Sequence, residues 1–376
     1  MMVMVAKEEQ EENITLQNYL LRQLESFYPI YGFSETLTDY DTEIESDLSQ
    51  ELLAENKRED QRLEQEKEGE EEKEQEKEKG KEKKEETKEQ KKEQEKKSKK
   101  KKQEKEKKTE EPKETAAQPG EKAVEISREK LKDFDYLVQN FYQVDRTTTI
   151  DGSQLNAQKF LEKSMKLEGG KEDVQILIYH THSQEGYIDS TPGDINTGVV
   201  GVAEYLTKLL QEKYGFNVMH HTGTYDVKDR DNAYSYAGPA LEQILAEHPS
   251  IEVVIDLHRD GVADTTHLVS EVNGKQTAQI MFFNGLSRTT KNGEISYLKN
   301  PYLEDNLAFS FQMKLAAEEY YPGFARSNYL KGYRYNLHYR PKSLLVEVGA
   351  QTNTLEEAMN AMEPLADILH KVLAPQ

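Results

Sequence analysis

Apolar residues in the C-terminal two thirds of the chain fall into short continuous runs alternating with longer stretches of helical spacing. "VQILIYHTHS" (174–183) is an unbroken apolar run with polar residues at its end, the pattern of a buried strand. "TGVVGVAEYLTKLLQEKYG" (197–215) spaces its apolar residues as a helix does, with Gly215 placed to close it. "FNVMHHT" is expected to be a second strand, "AGPALEQILAEHPS" a helix with Pro239 near its first turn, and "IEVVIDLHRD" a third strand. "TAQIMFFNG" (277–285) predicts a fourth strand, "YLEDNLAFSFQMKLAAEEYYPG" a long helix, "KSLLVEVGA" (342–350) a fifth strand, and "TLEEAMNAMEPLADILHKVL" a closing helix. Strands alternating with helices in this way predict an α/β fold: a mostly parallel, twisted sheet with helices on both faces. Ligands in such sheets sit beyond the carboxyl ends of the strands.

The N-terminal third does not share this pattern. Residues 1–56 form an acidic segment, in which Leu16, Leu20, Leu21 and Leu24 predict a short amphipathic helix that Pro29 ends. Residues 57–124 are a Lys/Glu-rich low-complexity spacer. No apolar stripe follows Leu63, so the spacer has nothing with which to build a core or a coiled coil. The catalytic domain is expected over 125–376, long enough to bury a core.

The chain carries a formal net charge of −21. No basic stripe appears in the folded part, which argues against nucleic acid as a partner. There is no cysteine, so disulfides, thiolate metal sites and a Cys nucleophile are excluded. No apolar run is long enough to span a bilayer, and "MMVMVA" is too short to anchor the chain, which as written shows no signal peptide.

The chemistry lies at the strand ends. The first strand ends in His180, Thr181 and His182, with Glu185 three residues beyond His182. The third ends in Asp256, His258, Arg259 and Asp260, and the fifth carries Glu347 inside "LLVEVG". His182 and Glu185 form an H-x-x-E pair, and His258 supplies a third donor from a neighbouring strand. Two His and one carboxylate with an open fourth position is a catalytic Zn2+ arrangement. A carboxylate in an apolar strand is costly unless it has a task, so Glu347 is the expected general base. His180 stands as an alternative ligand or as a partner that orients one, with His182 preferred because H-x-x-E requires it. Arg259 is placed to stabilise an oxyanion, to bind a substrate carboxylate, or to pair with Asp256 or Asp260. His338, in "YNLHYRPKS", is either a substrate contact or a loop histidine. His220, His221, His248, His267 and His370 lack metal spacing. Tyr329, Tyr333 and Tyr335 suit either a sugar- or peptide-lining surface or plain core.

"ILIYHTHSQEGY", "TGVVGVAEYLTKLL", "VVIDLHRDGV", "NLAFSFQMKL" and "YYPGFARSNYLKGYRYNLHYRPKSLLVEVGAQTNTLEEA" occur in this order. Over about residues 130–376 the chain thereby resembles the stage II sporulation protein P family of endospore-forming bacteria. The resemblance implies a peptidoglycan hydrolase of forespore engulfment, a zinc-dependent N-acetylmuramoyl-L-alanine amidase also credited with endopeptidase activity. It implies action with stage II sporulation protein D, a lytic transglycosylase, and recruitment through stage II sporulation protein M. By this motif match His182, Glu185 and His258 bind zinc and Glu347 is catalytic. The implied location is extracytoplasmic, at the septal or engulfing membrane and wall. Family members usually carry an N-terminal membrane anchor, and none is visible in this chain. Two other functions fit the same residues: a zinc carboxypeptidase or deacylase acting on soluble peptides, and a non-catalytic wall-binding module of the engulfment complex.

Overall fold

The structure is a computed structural model and describes residues 122–291 and 293–375. The acidic segment 1–56, with its expected helix, and the spacer as far as residue 121 lie outside the described residues.

The elements run α1 (Phe134–Phe141), β1 (Tyr142–Val144), α2 (Ala157–Glu162), β2 (Ile176–Tyr179), α3 (Val199–Lys208), β3 (Val218–His220), α4 (Ala233–Glu247) and β4 (Val253–Asp260). There follow β5 (Val269–Val272), β6 (Lys275–Ala278), β7 (Ile280–Gly285), β8 (Arg288–Thr289), β9 (Gly293–Glu294), α5 (Leu303–Tyr320), β10 (Asn328–Lys331), β11 (Lys342–Ala350) and α6 (Leu355–Leu373).

Seven strands form one sheet in the order β1-β10-β7-β11-β4-β2-β3. Every neighbouring pair is parallel except β7 with β11. The fold is therefore the expected mostly parallel α/β sheet, with one reversal at its centre. β2, β4 and β11, the strands with polar ends, lie side by side and point the same way.

Alternation along the strands sorts side chains between two cores. Ile176, Ile178, Val253, Ile255, Leu257, Leu344, Val346 and Val348 join the larger core with residues of α1, α2, α3, α5 and α6. Leu177, Tyr179 and Val254 join Ala237, Leu241 and Leu245 of α4 on the opposite face. Helices thus cover both faces, and α4 is the cover on the second.

Local signals explain the boundaries. The helical path from α3 continues through a π-type turn at Leu209–Lys213 and ends at Gly215, whose φ is +69°. α6 opens on a reciprocal capping box between Thr354 and Glu357. Two expectations need correction. "TAQIMFFNG" is two strands: β6 pairs with β5 as a separate hairpin, and β7 joins the main sheet. The break falls at Gln279, whose N–H donates to Leu268 O (2.9 Å) outside the sheet. Pro239 lies inside α4 because the helix begins earlier, at Ala233. A further short strand, β10, precedes the stretch that carries His338.

Among the described residues no helix is long and apolar enough to cross a membrane.

Candidate active site

Val254 of β4 faces α4, so Asp256 and His258 fall on the same side by alternation. Val346 and Val348 of β11 face the larger core, so Glu347 between them also falls on the α4 side. Glu347 and His258 are Cα register partners on neighbouring strands. The register shifts between Glu347 and Ala350, a β-bulge of the kind found where a strand re-aims a side chain.

The segment after β2 brings in the remaining groups and is held by two carboxylates. Asp256 accepts from Thr181 N–H (2.9 Å) and Thr181 Oγ1 (2.6 Å). Asp226 accepts from Ser183 Oγ (2.8 Å) and Gln184 N–H (3.0 Å). At the far end of the turn, Val199 N–H at the start of α3 donates to Glu185 O (3.0 Å). Only glycine serves at position 198, because a Cβ there would lie 2.3 Å from that same Glu185 oxygen.

These restraints bring His182, Glu185 and His258 together. The His182 and His258 rings meet edge to face, with centroids 5.4 Å apart. His258 Nδ1 is 3.4 Å from Glu185 Oε2, and its Nε2 is 2.8 Å from Asp256 Oδ1, though not aligned for a hydrogen bond. Glu185 Oε1 accepts from Arg230 (2.8 Å), and Oε2 accepts from the Arg259 N–H (3.0 Å). All four of His182, Glu185, His258 and Glu347 are buried.

Burial and neighbours set the charges. Burial favours neutral His258, but Asp256 and Glu185 outweigh it and hold the imidazole well above its ordinary pKa. Glu185 is correspondingly held well below the usual carboxylate range, since His258 and Arg259 overcome its burial. Burial lowers His182 to about 4. Glu347 is pushed well above the usual range by burial, to which Asp260 and Glu185 add.

The structure separates His180 from His182. His180 Nδ1–H donates to Leu257 O (2.7 Å), and its Nε2 meets His220 Nε2 (3.0 Å), so both ring nitrogens are engaged. Both His182 nitrogens are buried without a hydrogen-bond partner.

The Arg259 guanidinium donates to the carbonyls of Gly186 (3.0 Å) and Asp260 (3.1 Å). Asp260 has its own ion pair with Arg326 (2.6 Å). His338 lies in the loop between β10 and β11, its ring centroid 4.0 Å from that of Tyr339, with Arg334 as a charged neighbour. Its contacts are with that loop, and its Nδ1 is buried and unpartnered.

Two residues that strand-end reasoning passed over belong to the site. Arg230 precedes α4, and Tyr234 sits in its first turn. The Tyr234 ring is nearly parallel to His258 (6.5 Å, 9°) and edge-on to His182 (5.6 Å, 87°). The polar run "DVKDRDN" marks a helix start but nothing about chemistry.

A metal can be tested against these donors. His182 Nδ1 and Nε2 and Glu347 Oε2 are buried without hydrogen-bond partners, while His258 Nε2 faces Asp256. Buried polar atoms are normally satisfied, and orphans gathered in one place point to a missing ion or water. Two His and a carboxylate suit zinc. As the side chains stand, no group of three or more His, Cys, Asp or Glu among the described residues is drawn closely enough to hold an ion. The donor chemistry fits, and binding requires His258 to give up its proton and its carboxylate contacts.

The chain matches the family model of stage II sporulation protein P over residues 34–370. Stage II sporulation protein P of Bacillus subtilis (strain 168) is 25% identical over 218 residues, covering 52% of this chain and 50% of that protein. The chain thus spans about half the length of this curated relative. Among solved structures, an N-acetylmuramyl-L-alanine amidase from Mycobacterium abscessus aligns at 14% identity over 53% of this chain and 96% of that one, with a TM-score of 0.30. An N-acetylmuramoyl-L-alanine amidase from Clostridium difficile 630 aligns at 14% identity over 53% and 94%, with a TM-score of 0.29. Structural likeness this slight carries no functional statement.

Proposed function

The chain belongs to the stage II sporulation protein P family, and from that premise we propose that it is a zinc-dependent peptidoglycan hydrolase of sporulation. Its reaction is hydrolysis of the N-acetylmuramoyl-L-alanine amide, and of peptide cross-links where the same site accepts them. The observation that supports this most is the placement of the unpartnered, buried His182 nitrogens and Glu347 Oε2 beside His258 at the ends of adjacent parallel strands.

His182, Glu185 and His258 would hold the zinc. When bound, it supplies Lewis acidity toward the scissile carbonyl, a lowered pKa for the attacking water, and positive charge that draws the Glu347 pKa down. Glu347 takes the proton of the attacking water on its free Oε2 and delivers it to the leaving amine. Asp256 fixes Thr181 and approaches His258, so it positions both ligand-bearing segments. Arg230 and Arg259 keep Glu185 ionised and oriented. The positive charge of Arg259, beside Glu185 and Glu347, suits it to stabilise a developing oxyanion. His338 enters as a contact from the loop before β11.

Engulfment with stage II sporulation proteins D and M as partners, and action outside the membrane at the wall, follow from the same reading. The test is zinc content and muropeptide products for purified wild type beside Glu347→Ala. Stoichiometric zinc in both, with stem peptides released by wild type alone, is the expected result. No zinc and no release, even with metal and partner supplied, would overturn the enzyme and leave a wall-binding module.

A further inference from the structure

A cavity of about 190 Å³ opens between α4 and the loop joining β10 to β11. Tyr234, Tyr333, Tyr335 and Tyr339 line it, with Arg334 and Glu242. It shares a wall with the candidate active site, because Tyr234 also covers His182 and His258.

The loop is built to hold this shape. At Gly285, the end of β7, a Cβ would lie 2.0 Å from Tyr333 O and 2.8 Å from Arg334 Cα, so the loop rests directly on the strand. Asn306 of α5 donates to Leu337 O and accepts from Ser343 N–H (3.0 Å), tying the loop to the start of β11. Asn336 donates to Tyr234 O (2.9 Å), and Tyr339 OH donates to Gly238 O (3.3 Å), tying it to α4. Tyr335 and Asn336 are consecutive left-handed residues, with φ of 49° and 55°. A bulky residue avoids that conformation, and where one is held in it the cause is commonly function. Here the turn sets the Tyr335 ring edge-on to Tyr234 (5.4 Å) and Phe283 (4.8 Å).

Arg334 is the chemically informative member. It is half-buried and, among the described residues, makes a long hydrogen bond to Lys299 O (3.3 Å) but no ion pair. Burial lowers its pKa, and the opposing pull of Tyr339 and of the exposed Glu242 does not offset that loss of hydration. Glu242 is exposed and takes Tyr339 OH (3.4 Å). A guanidinium beside aromatic walls recognises a carboxylate in two-point fashion. The peptide part of peptidoglycan carries free carboxylates, whereas its amides and sugar hydroxyls call for no cation.

We propose that this cavity is a substrate subsite for a carboxylate-bearing peptide segment next to the scissile amide, with Arg334 as the carboxylate's partner. The assignment rests on the amide-hydrolase reading above and names which part of the substrate lies on the Tyr234 side.

The test uses the full, zinc-loaded chain and two synthetic muramoyl tetrapeptides, identical except that the carboxylates are free in one and carboxamides in the other. Wild type should show a KM about tenfold or more lower for the free acid. Arg334→Gln should remove that preference by raising KM for the acid alone, with kcat held within about twofold. Arg334→Lys should restore part of it. Calorimetric binding of the two tetrapeptides without the sugar, to wild type and Arg334→Gln, gives the same comparison without turnover. If wild type hydrolyses neither probe, the hydrolase reading fails, while an Arg334-dependent binding preference still supports the subsite. An acid preference that survives in Arg334→Gln, or an equal loss on both probes, overturns the proposal. So does loss of the C-terminal residue from the sugar-free acid, since Arg334 would then serve the terminus of a soluble peptide.

Discussion

Glu347 of β11 and His258 of β4 are register partners on adjacent parallel strands. A carboxyl group and an imidazole therefore meet across the sheet itself, with no loop to set their separation. Such a placement is rigid, which general-base chemistry requires. It also makes Glu347 expensive, because Oε2 has no hydrogen-bond partner and the side chain is buried.

Glu347→Gln should separate activity from stability. Loss of the base should lower amide hydrolysis by about 10²–10⁴-fold. Zinc content should stay unchanged, since the three proposed ligands remain. Stability should not fall. An acid whose folded pKa is raised contributes most below its unfolded pKa, about 4.3, and costs stability as pH rises toward the folded value. Thermal melts of metal-free protein at pH 5 and pH 8 should show the variant gaining on wild type at the higher pH.

His180 and His182 should differ in metal binding although only one residue separates them. His182→Ala removes a donor with two unpartnered nitrogens and should abolish stoichiometric zinc after dialysis. His180→Ala removes contacts to Leu257 O and His220 instead. It should cost roughly 1–3 kcal/mol of stability and leave zinc in place. Zinc lost from His180→Ala and kept in His182→Ala would reverse the assignment.

Much of this site was legible because β2, β4 and β11 are buried on both faces. Their sequences are continuous apolar runs, so the polar residues ending them stand out, and adjacent parallel strands bring such ends together. β1 (YQV) and β10 (NYLK) are too short to give a pattern, although they extend the sheet. The reversal of β7 depends on long-range pairing with β11 and has no local signal. Tyr234 and Arg230 were missed for a related reason: they reach the site from a helix start, where residue type and spacing reveal only the helix. The sequence leaves His338 open between a substrate contact and a loop histidine, because its stretch carries no strand or helix pattern, and its ring packs on Tyr339.

Glu252 should govern part of the acid limb of stability. Burial pushes its carboxyl up, but hydrogen bonds from the Gly169 and Glu168 N–H groups and the Lys342 ammonium outweigh that and hold it below its ordinary value. The stabilisation is present above the unfolded pKa, about 4.3, and is lost as pH falls through the lower folded value. Glu252→Gln should be less stable than wild type at pH 7, and the gap should close below about pH 4. Urea midpoints at pH 7, 5 and 3.5 measure it, and a gap that stays constant would remove Glu252 from the account.

Gly285→Ala tests whether the loop before β11 is held from beneath. The added methyl would meet the Tyr333 carbonyl at 2.0 Å and Arg334 backbone atoms at 2.8 Å, and neither is the end of a flexible side chain. Since β7 pairs with both β10 and β11, it cannot move away without breaking the sheet. The strain should therefore fall on the loop and cost about 3 kcal/mol, the upper part of the range for overpacking. As the loop lifts, Asn336 loses Tyr234 O and the Tyr335 ring leaves the Tyr234 ring. Tyr234 then loses one of its supports while His182, Glu185, His258 and Glu347 keep theirs, because the contacts from Asp256, Asp226, Arg230 and the β4–β11 pairing do not involve this loop. The variant should accordingly retain zinc and show a raised KM with a smaller change in kcat. A variant as stable as wild type would mean the loop rests on β7 more loosely than this packing requires.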